Sequence, residues 1–148
     1  MDTLKTLNAL FQRDLDKLLG ELETYDERHL WQTKEGVINS GGNIALHLNG
    51  NLQHFIGAVL GETGYVRERD KEFSLKGVPV QDIIKDVRVT KKVVEDTLLN
   101  KLEESNLDDI YPVKIRPEEF TVGAFLLHLY GHLSWHLGHI NYLRRMIA

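Results

Sequence analysis

The sequence predicts an all-α protein, an antiparallel four-helix bundle with long connections. Three observations point there. Four segments carry apolar residues at helical spacing, strand-like alternation is nearly absent, and glycine or proline marks the breaks between segments. The 148 residues suit one domain over 1–148, long enough to bury a sizeable core.

The first helix is expected from Asp2 or Thr3, either of which can cap it, to about Tyr25. Leu4, Leu7, Leu10, Phe11, Leu15, Leu18, Leu19 and Leu22 form its apolar stripe. The following stretch has no sustained period and holds Gly36, Gly41 and Gly42, so it reads as a loop in which Trp31, like Tyr111 further on, is expected to pack on the core, the lesser reading being a pocket wall. A second helix starts between Asn39 and Asn43 and ends at Gly61 or Gly64, with Ile44, Leu48, Leu52, Phe55 and Val59 as its stripe. "YVRERDKEFSLKGVP" reads as a charged, solvated connection, with a lesser reading in which Arg67 or Arg69 reaches a site to hold an anionic substrate or a thiol cofactor. Pro79 opens a third helix, patterned by Ile83, Ile84, Val87, Val94, Leu98 and Leu102. Pro112 and Pro117 lie in a linker with room for a short extended piece, in which Tyr111 is expected to pack on the core. The last helix starts at 118–121 and runs to about Met146, with Arg144 and Arg145 complementing its C-terminal dipole. It is apolar on most sides and is expected to be the most buried. A face of Gly123, Ala124, Gly131, Ser134 and Gly138 suggests a close approach by another backbone, from a neighbouring helix or a dimer partner.

Composition removes several function classes. A formal net charge of -4 with no basic patch argues against nucleic-acid binding. The absence of cysteine excludes disulfides, thiolate metal sites and a cysteine nucleophile, and suits a cytoplasmic location. No signal-peptide pattern opens the chain and no run approaches ~18 apolar residues, so no membrane partner is expected. H-E-x-x-H, Glu-x-x-His, Walker A, G-x-S-x-G and G-x-G-x-x-G are all absent.

What remains is histidine. Four of the seven histidines fall between His128 and His139. At ~100° per residue, with His132 at zero, His136 lies near +40°, His139 near -20° and His128 near -40°, all on one face. That face borders the apolar stripe of Val122, Phe125, Leu129, Leu133, Ile140 and Leu143. Side chains at i and i+4 stand one turn apart, so His132 and His136 can reach one metal ion. A third ligand must come from elsewhere. In the second helix His47 also borders the apolar stripe, with Asn51 and His54 beside it. If the two edges face each other, His47, His132 and His136 make a three-histidine site with positions open to water or a small-molecule substrate. The competing reading is that these are hydrogen-bonded histidines at the core edge.

The segments "SGGNIALHLNGNLQHFIG" and "GHLSWHLGHINYLRR" resemble those of the DinB-like (YfiT-like) superfamily of metal-dependent four-helix bundles. Its members carry a histidine early in the second helix and H-x-x-x-H in a late one, often as "NHxxYHRGQI". Trp135 matches the aromatic before the second histidine, and Gly138 and Ile140 match the motif's end. "RERDKEF" resembles the connection of an uncharacterised branch. The resemblance covers nearly the whole chain. It departs at His139, where glutamine is commoner; the extra imidazole is a fourth ligand, a proton shuttle or a rim hydrogen bonder. The resemblance implies zinc or nickel on His47, His132 and His136. It also implies, for some members, a low-molecular-weight thiol such as bacillithiol, mycothiol or glutathione as co-substrate, or maleylpyruvate isomerisation, and often a homodimer.

Two functions follow as expectations. One is a metal- and thiol-dependent transferase, with Asn51, His54, His128 and His139 as supporting or substrate-binding residues. The other is a non-catalytic bundle that uses metal or small-ligand binding for stability, sensing or protein contacts.

Overall fold

The computed structural model describes residues 1–147. Five α-helices run in the order α1 (Thr3–Thr24), α2 (Gly41–Leu52), α3 (Arg69–Ser74), α4 (Val80–Asp96) and α5 (Val122–Ile147), and no strand occurs among the described residues. α2 continues as a π-helix over Gln53–Ala58, and α4 as another over Thr97–Lys101. Their wider turns show in the bonds from the Val59 amide to the His54 carbonyl and from the Leu102 amide to the Thr97 carbonyl. Nothing in the residue pattern announces this widening, and π turns concentrate near functional sites. α1 opens as expected, with the Asp2 carboxylate accepting from the Lys5 amide.

α1 packs on α4 and α5, and α2 packs on the same two helices, so the four long helices close into a ring. Their directions can be read from side-chain pairs. Arg13 meets Tyr130, and Glu21 meets Asn141 and Arg144, so α1 and α5 run parallel. Asn49 meets Thr90, and further on Gly57 lies against Val93 and Gly61 against Thr97, so α2 and α4 also run parallel. α1 against α4, and α2 against α5, run in opposite directions. Gln12 bonds the Lys91 carbonyl while Glu27 bonds the Val80 amide; His47 meets His132 while Phe55 meets Phe125. Only two of the four neighbouring pairs are therefore antiparallel.

This topology explains the long connections. To run parallel to α2, α4 must start at the end where α2 started. The chain from Gly61 to Pro79 therefore travels back along α2, and the charged stretch expected to be solvated instead forms α3 and packs on α2. The later linker contains a 3-10 turn at Glu104–Asp108 and an isolated antiparallel bridge, Ile110 with Thr121. Tyr111 is buried there and donates to the Phe55 carbonyl at 2.7 Å, a packing role as expected. Trp31 is half-buried against the core and covers Gly42.

The core runs the length of the ring, with Phe11, Leu15, Leu18, Leu48, Leu52, Ile83, Leu98 and Phe125 almost fully buried. Each such side chain contributes roughly 1.5–3 kcal/mol relative to leaving it in water. The most buried helix is α2, where every residue except Leu46 is buried, not the last helix as its apolar content suggested. α5 leaves Leu127, Trp135 and Tyr142 exposed. Its small-residue face is also open. Of its three glycines Gly123 meets a backbone group, the Leu107 carbonyl, while no described atom lies within 4 Å of a Cβ built at Gly131 or Gly138.

Candidate metal centre

α2 is set in place by its own first turn. The Ser40 hydroxyl accepts from the Asn43 amide, and the Asn43 side chain donates to the Glu72 and Leu75 carbonyls at 2.9 Å each. The last carbonyls of a helix lack partners within it, so this amide holds the end of α3 on the start of α2. The Phe73 ring then lies 4.9 Å from the ring of His47, and Glu72 is carried to the same imidazole. Gly50 makes room. A Cβ built there would stand 1.9 Å from the Glu72 Oε2, so the carboxylate rests on the bare backbone of α2.

Glu72 is only 6% exposed and fully committed. Its Oε1 accepts from His47 Nδ1 at 3.0 Å and from Arg67 Nη2 at 2.9 Å, and its Oε2 accepts from Arg67 Nε at 2.9 Å. Burial alone raises a carboxyl pKa, but the hydrogen bonds from His47 and Arg67 and the Arg67 charge outweigh it and hold Glu72 below the usual carboxylate range. An ionised carboxylate only accepts, so Nδ1 of His47 carries the proton and Nε2 presents a lone pair.

That lone pair points across the ring of helices at α5. His47 Nε2 lies 3.1 Å from His132 Nε2. His136, one turn further on α5, has its ring 4.5 Å from that of His132 and 5.3 Å from that of His47. One ligand-capable nitrogen from each of His47, His132 and His136 falls within 4.8 Å of the other two, which makes this a group able to hold a metal ion. Two nitrogens bound at ~2.0–2.1 Å in a tetrahedron stand about 3.3–3.4 Å apart, so the 3.1 Å pair needs only a small adjustment to grip one ion. His132 and His136 each also keep a buried Nδ1 with no partner among the described residues, so neither Nδ1 is tied into a structural hydrogen bond. The residues fit a divalent cation.

Electrostatics favours the neutral rings that a metal requires. Burial, then the neighbouring imidazoles, lowers His132 from 6.5 to about 3 and His136 to about 4. The unfolded chain takes up protons at both rings as pH falls through about 6.5, whereas the folded chain does not until about 4 and 3. The metal-free fold therefore loses stability across that window as pH falls. Calorimetry after chelation is expected to show a larger drop in Tm between pH 7.5 and 5 for the wild type than for His132→Gln.

The other candidates fall outside the trio. Asn51 is buried one turn beyond His47, with an unpartnered Oδ1. His54 is half-buried on the Phe55 ring, its pKa lowered by burial and then by the Arg67 charge. His128 is exposed and stacks on Phe125. His139 is exposed between Trp135 and His136, its ring 5.7 Å from the latter. Arg67 does reach the site, but to bind Glu72, and Arg69 lies over the Phe73 ring. Glu72 itself is legible only as one acid in a charged run. Nothing in its spacing marks it as the partner of a histidine 25 residues earlier.

No curated protein matches the chain. A family model matches residues 2–148, and the chain belongs to the family that it describes, the protein family of unknown function DUF1572.

Proposed function

We propose that this protein is a DinB-like metalloprotein that holds one divalent ion, zinc or nickel, on His47, His132 and His136, and that it serves a thiol-dependent transfer to a small electrophilic substrate in the cytoplasm, as a homodimer. The observation that supports this most is the meeting of three imidazoles from two helices, one of them backed by a buried carboxylate. A carboxylate behind a ligating histidine fixes its tautomer and raises its basicity. Three protein ligands leave further positions open, the pattern of catalytic rather than structural sites. A divalent ion so held supplies a Lewis acid that lowers the pKa of a thiol offered to it.

The chain's own residues then divide the work. Glu72 and Arg67 orient His47, and His132 and His136 stay unprotonated at neutral pH. The test is metal content of untagged protein, followed by titration with zinc and nickel. About one ion per chain is expected, and no binding of either metal would overturn the proposal. With metal bound, glutathione-dependent consumption of an aryl halide, or the same assay with bacillithiol or mycothiol, reads the transferase. Full metal loading without turnover on any thiol would favour a non-catalytic bundle that uses the ion for stability or sensing.

A further inference from the structure

Two clefts border the histidine trio, and they differ in chemistry. One, of about 340 Å³, lies behind Glu72 between α2, α3 and α4, and carries Glu68, Lys71 and Asp86 on its walls. It reaches the trio only through Glu72, whose oxygens are already committed to His47 and Arg67. The second, of about 350 Å³, is formed by the loop before α2 and the last turns of α5, and His136 is itself part of its wall. Val37, Ile38, Ile44, Tyr142, Leu143 and Met146 supply most of the rest, and none of its lining residues is acidic or basic apart from His136 and His139.

We infer that this second cleft is the substrate's binding site, and that it takes the apolar body of a compact molecule whose polar end reaches the ion on His136; this rests on the metal-site reading above. The volume falls within the range of small-molecule pockets, which are mainly apolar with a few placed polar groups. Here the polar groups are the two imidazoles, the side chain of Asn39 and the phenol hydroxyl of Tyr142. The rim is more apolar than an ordinary surface loop warrants. Ile38 is 91% exposed, Tyr142 63% and Met146 51%, and such grouping marks a binding surface. A strongly anionic substrate finds no lysine or arginine in the lining of this cleft, Arg145 standing outside it over the Tyr142 ring. Arg67, the arginine nearest the trio, is 11% exposed and bound to Glu72. His139, the residue that departs from the resembling motif, thereby gains a place: it stands on the cleft wall next to His136, able to hydrogen-bond the substrate's polar end.

The test uses cobalt-substituted protein and two metal-seeking probes that differ only in their apolar body, acetohydroxamate and benzohydroxamate, titrated by the visible absorption of cobalt. The phenyl probe is expected to bind about tenfold tighter or better, since even small apolar groups discriminate by that much in a fitted pocket. In Ile38→Asp and in Tyr142→Ser the preference is expected to fall at least several-fold, with cobalt stoichiometry unchanged. Both substitutions lie at exposed positions, so the fold survives them. Equal affinity of the two probes in the wild type would overturn the inference, as would a preference untouched by both substitutions. A change of oligomeric state in the variants without a change of preference would overturn it too, by assigning the rim to a second copy of the chain. Failure of cobalt to bind at all would instead remove the metal-site reading, and the inference with it.

Discussion

Replacing His132 by alanine is expected to abolish stoichiometric zinc binding while the protein stays folded. His132 is the middle of the trio: its Nε2 meets that of His47 at 3.1 Å, and its ring lies closer to that of His136 than the ring of His47 does. Without it, one nitrogen from α2 and one from α5 remain, too few for a stable site where no other described residue brings a ligand atom to the same point. Loss of an outer hydrogen bonder to a metal site costs 10–100-fold in affinity, so loss of a ligand should exceed about 100-fold. Fold stability should respond less. His132 is half-buried, its Nδ1 has no protein partner, and its pKa is depressed, so the ring is a poor contributor to the metal-free fold. His128→Ala, one turn earlier at an exposed position, is the control and should keep full zinc stoichiometry. Calorimetric titration of the two variants checks both halves. Equal zinc affinity in His132→Ala and wild type would show that the imidazoles are core-edge histidines and nothing more.

Much of this site was legible in the sequence because helices are local. The spacing of His132 and His136 placed them on one face, and the stripe beside them placed that face at the core edge. His47 could be nominated because α2 shows the same ordering of histidine and apolar residues. What was not legible depends on how helices are connected. Periodicity gives each helix a buried side but no direction, and the expected antiparallel ring misses that α2 runs parallel to α4. The return of the chain along α2 follows from that direction alone, and with it the conversion of "RERDKEF" from a solvated loop into α3. The burial ranking failed for a related reason. α5 is apolar on most sides, but it packs against only two of the long helices, α1 and α2, and Leu127, Trp135 and Tyr142 stay outside. α2 is about as apolar as α5 yet is covered by α3 as well as by α4 and α5.

Glu72→Ala tests that missed layer, and it is expected to be the most damaging single change outside the apolar core. The carboxylate binds both Arg67 and His47, and all three side chains are nearly excluded from water. Removing one member of a buried ion pair leaves the other charge without compensation, which typically costs about 3–5 kcal/mol. Here the stranded group is the Arg67 guanidinium, held against the Phe55 ring at 5.6 Å. Zinc affinity should fall as well, by about 10–100-fold, because His47 loses the acceptor that fixes its Nδ1 proton and aims Nε2 at α5. Glu72→Gln separates the two effects. Its amide oxygen can still accept from His47, so metal affinity should recover more than stability, whose charge partner stays missing. Gly50→Ala approaches the same carboxylate from behind. The new methyl would occupy the position of Oε2, and alanine's better helix propensity, worth about 1 kcal/mol, works against the damage. If the carboxylate matters through its placement on His47, Gly50→Ala weakens zinc binding even where that propensity gain conceals the loss of stability. Denaturant unfolding of the chelated proteins, paired with zinc titration, reads both quantities. Unchanged zinc affinity in all three variants would reduce Glu72 to a fastener between α3 and α2, and leave His47 to be oriented by the Phe73 ring alone.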